Sequence, residues 1–138
     1  MSIVAGRLRD VPLFKGLSRK DLEMVAELAI IRHAREGQAI IKQGAIGNEF
    51  FVIADGSARV IRGKRTVARL KAGDFFGEMA LLDRGPRNST VIAESSMELI
   101  VLGRWSFMSL LGKMPEIAIK LLRESARRIR ENEPLSIN

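Results

Sequence analysis

Hydrophobic and polar positions divide the chain into three zones of different periodicity. In the first zone, residues 1–31, apolar side chains recur at helical spacing after Ser18, a favourable helix N-cap. These side chains are Leu22, Val25, Ala26 and Ala29. Pro12 fixes its own backbone angle and biases Val11 away from helix, so an extended or turn segment is predicted for residues 11–14. The first zone is therefore predicted to be an N-terminal helical segment.

Short apolar runs separated by glycine residues make up the second zone, residues 32–103. The runs lie at residues 39–41, 50–53, 58–61, 67–70, 90–93 and 99–102. Short strands with frequent turn residues between them indicate an antiparallel sandwich or barrel rather than a parallel sheet with crossover helices. Residues 62–65 are predicted to form a hairpin turn between two of these strands.

The third zone, residues 104–138, returns to helical periodicity. A short helix is predicted from Trp105 to Leu111, broken at Gly112, and a longer helix begins near Pro115, which suits a first helical turn. The longer helix has one predicted apolar stripe, formed by Ile117, Leu121, Leu122, Ala126 and Ile129. The three zones together predict one domain over residues 1–138, mainly β with flanking helices.

Composition narrows the choice of partner. The 138 residues include 23 Lys and Arg against 16 Asp and Glu, a net charge of +7. This excess suits an anionic partner, such as nucleic acid, a membrane surface or a phosphorylated small molecule, although a solubilising surface explains it equally well. No apolar run approaches the roughly 20 residues that cross a bilayer, and no signal-peptide pattern is present. We therefore expect a cytoplasmic protein, or a cytoplasmic domain of a larger membrane protein.

The residue types that most catalysis requires are scarce. Cysteine is absent, which excludes thiol nucleophiles, thiolate metal sites and disulfides. His33 is the only histidine, so a histidine-rich metal site cannot form. Neither the P-loop motif of nucleotidases nor the Gly-x-Ser-x-Gly motif of hydrolases occurs. The sequence therefore predicts no enzyme, no catalytic residue, no metal and no cofactor.

The candidate chemistry lies in residues 73–91. Gly77 permits a tight turn, and Glu78 to Leu82 can form one helical turn whose first N–H groups lack partners and suit an anion. Arg87 follows a few residues later, and its planar fork can bind two phosphate oxygens. Glu78 can accept hydrogen bonds from a sugar hydroxyl. The segment therefore suits a sugar phosphate, although a turn with ordinary surface charges explains the same residues.

Two stretches of this segment resemble the phosphate-binding cassette of the cyclic nucleotide-binding domain family. They are FGEMALL at residues 76–82 and PRNSTV at residues 86–91. Residues 11–18, 37–44 and 50–56 resemble the entry segment, early strands and central hairpin of the same family. The resemblance implies an antiparallel jelly-roll β-barrel of eight strands, with its cassette at residues 76–90, N-terminal helices, and a C-terminal helix that serves as a lid or dimer contact.

The resemblance also implies a role for individual residues. Arg87 would bind the cyclic phosphate together with backbone N–H groups near Ala80 and Leu81, and Glu78 with the Gly77 backbone would bind the ribose 2′-hydroxyl. Other expected contacts are Phe76 and Met79 within the cassette, Asn88 and Ser89 after the arginine, Val67 and Ala68 beside the base, and Arg123, Arg127 or Asn132 of the C-terminal helix against the purine.

The function implied is non-catalytic binding of a 3′,5′-cyclic purine nucleotide by a sensor whose C-terminal helix closes over the ligand. We expect cAMP, with cGMP left open because Asn88 departs from the residues most relatives have there. A homodimer through the C-terminal helix is an open alternative, and the output partner is unknown. Too few residues follow the helix for a DNA-reading motif. Two other functions stay open: a degenerate barrel acting as an interaction scaffold, and a basic nucleic-acid-binding module.

Overall fold

A computed structural model describes residues 2–131. Its N-terminal part contains α1 (Ile3–Arg9), a 3-10 turn (Pro12–Phe14) and α2 (Arg19–Leu28). The predicted N-cap is confirmed, since the Ser18 hydroxyl accepts a hydrogen bond from the Asp21 N–H at 3.1 Å. The segment predicted as extended or turn is confirmed, since Val11 is extended and Pro12–Phe14 form a 3-10 turn whose first position suits the fixed angle of Pro12.

Eight strands form two antiparallel sheets of four. The strands are β1 (Ile30–Ala34), β2 (Ala39–Ile41), β3 (Glu49–Asp55), β4 (Ser57–Arg62), β5 (Arg65–Lys71), β6 (Phe75–Phe76), β7 (Thr90–Ala93) and β8 (Met97–Gly103). One sheet has the order β1-β8-β3-β6 and the other β2-β7-β4-β5. The predicted jelly-roll fold is confirmed as two facing sheets that do not close into one barrel. The predicted hairpin turn is also present, since Arg62 pairs with Arg65.

The core has two parts that share strand β3. Phe51 and Ile53 belong to the core between the two sheets, whereas Phe50 and Val52 belong to the core between a sheet and the helices. Alternate side chains of a strand point to opposite faces, so β3 serves both parts. The rings of Phe50 and Phe107 stack with centroids 4.5 Å apart. This contact packs the helical layer against the sheet that contains β3.

The C-terminal helices are α4 (Arg104–Lys113) and α5 (Pro115–Glu131). The five-residue α3 (Glu78–Leu82) lies between β6 and β7 in the sequence. Gly112 does not break α4, which continues to Lys113. The single apolar stripe predicted for α5 is wrong, because its members divide between two faces. Ile117 and Leu121 are buried in the core, whereas Leu122 and Ile129 are 65% and 48% exposed.

Candidate functional site

Arg87 is buried at the centre of the candidate site, with 6% of its surface exposed. Its Nη1 donates to the Gly77 carbonyl at 2.7 Å and its Nη2 donates to the Glu49 carbonyl at 2.8 Å. A guanidinium has five N–H donors, so these two bonds orient the group and leave donors for an anion. Burial lowers the pKa of Arg87, and the nearby Glu49 and Glu78 carboxylates oppose that effect. The result is a fixed, desolvated cation.

Two glycines make room for this arginine. Gly77 has φ +93° at the start of α3, where a side chain is strained, and an added Cβ would lie 3.0 Å from the Glu49 carbonyl oxygen. Gly47 precedes β3, and an added Cβ would lie only 2.4 Å from Cζ of Arg87 and 2.8 Å from Cβ of Ala80. Sequence analysis missed Gly47, because nothing in its neighbours indicates that it faces residue 87.

Arg104 connects two segments that surround Arg87, the loop before β3 and helix α3. Its guanidinium donates to the Gly47 carbonyl at 3.1 Å and to the Leu81 carbonyl at 3.4 Å. The start of α4 therefore holds the loop before β3 against the last turn of α3. This contact was also missed by sequence analysis, since it joins residues far apart in the chain.

Glu78 is the second buried charge of the site, with 5% of its surface exposed. Burial raises the pKa of the Glu78 carboxyl, and the nearby Arg128 cation opposes part of that rise. Arg128 reaches Glu78 from α5, with Nη1 3.4 Å from Oε1, and donates to the Phe75 carbonyl at 2.7 Å. Its guanidinium also lies 4.6 Å from the centroid of the Phe75 ring. Arg128 therefore connects α5 to the cassette.

Most of the predicted site residues border one cavity of about 130 Å³. They are Ala68, Phe76, Gly77, Glu78, Met79, Ala80, Arg87, Asn88 and Ser89, joined by Ile41, Val60, Arg62, Leu70, Val91 and Arg128. Val67 and Leu81 lie outside its lining, and the Leu81 side chain packs with the helical part of the core. Ser89 is buried and donates to the Asn88 Oδ1 at 3.1 Å.

The two predicted α5 contacts, Arg123 and Arg127, border a neighbouring groove of about 480 Å³ instead. Arg127 forms ion pairs with Glu124 and Glu131. Arg128 lines both the groove and the cavity, so it stands between them. The third predicted contact, Asn132, lies outside the described residues. Helical periodicity explains why Arg128 borders the cavity and Arg127 does not. Residues 117, 121, 124 and 128 lie on one face of α5, and Arg128 continues this buried face.

Residues 2–131 contain no cluster of three or more His, Asp or Glu that could hold a metal ion. His33 lies exposed in β1, away from the cavity lining. Among the same residues, no helix is both long and apolar enough to cross a membrane.

Comparisons with known proteins agree with this geometry. A family model described as "Cyclic nucleotide-binding domain" matches residues 31–114. The cAMP-dependent protein kinase regulatory subunit of Mycosarcoma maydis is 35% identical over 127 residues, which cover 86% of this chain and 24% of the relative. The Cyclic AMP receptor protein of Thermus thermophilus is 33% identical over 129 residues, covering 90% of this chain and 60% of the relative.

Solved structures show the same likeness. The regulatory domain of Toxoplasma gondii PKA, crystallised with cAMP, superposes with a TM-score of 0.81 at 27% identity, covering 91% of this chain and 49% of that one. This chain thus spans only part of the length of each relative named here.

Proposed function

This chain belongs to the cyclic nucleotide-binding domain family, and we propose that it is a non-catalytic receptor for a 3′,5′-cyclic purine nucleotide. The observation that supports this function best is the buried Arg87, held by two backbone carbonyls at the border of the cavity. A desolvated, oriented guanidinium suits a phosphate that forms two hydrogen bonds at once. The first N–H groups of α3, on the same cavity, would bind the remaining oxygens.

The ribose is assigned to Glu78. Its carboxylate borders the same cavity as Arg87, and a hydroxyl donor would replace part of the hydration that burial removes. Ala68, Val60 and Leu70 supply an apolar wall for a purine. Val67, Arg123 and Arg127 stay predicted contacts, and each would require a rearrangement to reach a ligand inside the cavity. The predicted contact of Leu81 is its backbone N–H, one of the first N–H groups of α3.

We favour cAMP over cGMP as the ligand. The two curated relatives named above carry cAMP in their names, and the Toxoplasma gondii regulatory domain was crystallised with cAMP. Titration calorimetry with cAMP and cGMP, on protein freed of co-purified nucleotide, tests the proposal. Heat with cAMP supports it. Heat from neither nucleotide favours the scaffold function, and binding of nucleic acid that ignores cyclic nucleotide favours the nucleic-acid function.

We further propose that α5 is a lid and that Arg128 is its latch. The cavity of about 130 Å³ is smaller than the roughly 300–1,000 Å³ of ordinary ligand pockets. Arg128 separates it from the groove of about 480 Å³, so moving this side chain would join the two spaces. A ligand shifts such an equilibrium only by binding one arrangement more tightly, and a contact between base and α5 would supply that difference.

Ligand binding is expected to slow amide hydrogen exchange in α5 from Glu124 onward by at least about tenfold. The far half of this helix has exposed apolar residues and clustered arginines, so its local opening costs little free energy. Exchange measured by mass spectrometry, with and without saturating cAMP, checks this. Truncation after Arg123 should weaken binding while the sheets stay folded, as judged by their unchanged protection.

Equal protection in both states would contradict the lid and favour the homodimer. In that case the exposed side chains at Ile119, Leu122, Ala126 and Ile129 would form the contact. Their alternating spacings of three and four residues suit the seam of two packed helices.

A 2′-deoxy cyclic nucleotide is expected to bind wild type about 1.5 kcal/mol more weakly than its parent, the size of a hydrogen bond to a charged group. Glu78→Ala should remove this difference, because the carboxylate that accepts from the hydroxyl is gone. Calorimetry on the four combinations isolates the coupling. An undiminished difference in Glu78→Ala would mean that Glu78 does not contact the ribose.

Glu78→Gln is expected to stabilise the protein in the absence of ligand above pH 4.5, the ordinary pKa of glutamate. Because burial raises the pKa of Glu78, the fold favours the protonated carboxyl, and that contribution is lost as pH rises through the raised pKa. Below pH 4.5 wild type and Glu78→Gln should unfold alike, and the gap should widen with rising pH. Urea unfolding at several pH values checks this, and a pH-independent gap would contradict it.

A further inference from the structure

Almost all the surplus positive charge of this chain is concentrated in the hairpin of β4 and β5. Residues 57–71 contain six basic residues and no acidic one: Arg59, Arg62, Lys64, Arg65, Arg69 and Lys71. When these six are set apart from the 23 basic residues of the chain, the basic side exceeds the 16 acidic residues by only one. The net charge of +7 is therefore a property of one surface feature.

Strand pairing brings Arg59, Arg69 and Lys71 together on the outer side of the hairpin, whereas Arg62 borders the cavity on the inner side. Arg59 lies directly opposite Arg69, and Lys71 lies opposite Ser57. The neighbouring side chains of Ala58 and Leu70 point inward and are buried, so the alternate positions face outward. Lys64 lies in the turn at the tip and Arg65 begins β5 directly after it, and both are exposed.

Carboxylates compensate little of this charge. Within residues 2–131 the only ion pair of the six cations joins Arg69 to Glu94, with Nε 3.2 Å from Oε1. The buried Nε of Arg59 has no hydrogen-bond partner among the same residues. Like charges that face each other across strands destabilise a sheet, so an external anion would relieve this arrangement.

We propose that the outer face of the β4–β5 hairpin binds an anionic lipid surface. Lys and Arg side chains near an acidic membrane are attracted by the negative surface potential of its headgroups. DNA fits this surface less well, because a four-stranded sheet is wider than the roughly 12 Å major groove. The β4–β5 hairpin cannot separate from the sheet to enter the groove alone, because β7 pairs with the other edge of β4. Residues 57–71 contain no aromatic side chain on which bases could stack.

An added peptide strand fits this surface less well than a lipid surface. The register shift in the β4–β5 ladder disturbs β5, the edge strand of its sheet, and bulges with charged side chains oppose strand addition. The inner side of the same hairpin borders the nucleotide cavity through Val60, Arg62, Ala68 and Leu70, so Arg62 is not part of the outer face. Contact through the outer face would therefore leave the cavity accessible, and this inference does not depend on the proposed function.

Vesicle sedimentation tests the proposal with the double variant Lys64→Glu/Arg65→Glu, which changes the tip of the hairpin and no residue of the cavity lining. The matched control is Arg19→Glu/Lys20→Glu, which makes the same change of charge at two exposed positions of α2. We expect wild type and the control to bind phosphatidylcholine vesicles containing roughly one third phosphatidylserine, and the tip variant to bind at least about tenfold more weakly.

Raising the salt from about 0.1 M to about 0.5 M should abolish vesicle binding, since it shortens the range of electrostatic attraction. Equal losses in the control and tip variants would overturn the proposal, because net charge alone would then explain them. Binding to phosphatidylcholine alone, or failure of wild type to bind either vesicle, would also overturn it. So would a tip variant that loses affinity for double-stranded DNA but not for vesicles. Circular dichroism of both variants verifies that they fold.

Discussion

Arg87→Ala is expected to weaken cyclic nucleotide binding by about 2–5 kcal/mol, the largest effect of any substitution that leaves the fold intact. The guanidinium is buried and oriented by the Gly77 and Glu49 carbonyls, so no reorganisation is needed when the phosphate arrives. Arg87→Lys should also lose much of the affinity, because an ammonium is a point charge without the planar fork. Calorimetry with cAMP measures both losses.

Arg84 provides the matched control for this experiment. It lies in the same loop as Arg87, three residues earlier, but its side chain is exposed. Arg84→Ala removes the same charge without a contact to the cavity lining and should change affinity by less than about 0.5 kcal/mol. If Arg84→Ala weakens binding as much as Arg87→Ala, the effect of Arg87 reflects long-range charge and not a phosphate contact.

Gly47→Ala is expected to weaken binding by about 2–4 kcal/mol, approaching the effect of removing Arg87 itself. The added methyl group would stand 2.4 Å from Cζ and Nε of Arg87 and 2.8 Å from Cβ of Ala80. The Ala80 Cβ is attached to the α3 backbone, so the guanidinium has to shift from the position that the Gly77 and Glu49 carbonyls give it, and away from the phosphate. The fold should suffer less than the affinity, because the end of a long side chain yields more easily than backbone.

A double-mutant cycle makes this prediction specific. If Gly47→Ala acts through the arginine, it should add little to the loss already present in Arg87→Ala. The control is Gly112→Ala within α4, where an added Cβ meets nothing within 4 Å. Fully additive losses for the Gly47 and Arg87 substitutions would show that Gly47 acts elsewhere, for instance through Ala80.

Sequence patterns predicted the strands well where apolar runs are long. Six strands from β2 to β8 coincide with predicted runs, because glycine and polar turns interrupt each one. Two strands were missed: β1, which begins at Ile30 inside the segment predicted as helical, and β6, whose two residues are too few to show a period. Helix α4 extends through Gly112, since packing of Phe107 and Leu110 in the core outweighs the low helix propensity of one glycine.

The sequence by itself determined the cassette, because Gly77, Glu78 and Arg87 lie within eleven consecutive residues and their turns are local. Only the tertiary structure decided what surrounds them. Glu49 and Gly47 meet Arg87 across about forty residues of chain, and Arg128 meets Glu78 across fifty. The far half of α5 contains several arginines close together, so neither composition nor charge distinguishes Arg128 from Arg127. The docking of Ile117 and Leu121 in the core sets the rotation of the helix, and that rotation turns Arg128 toward the site.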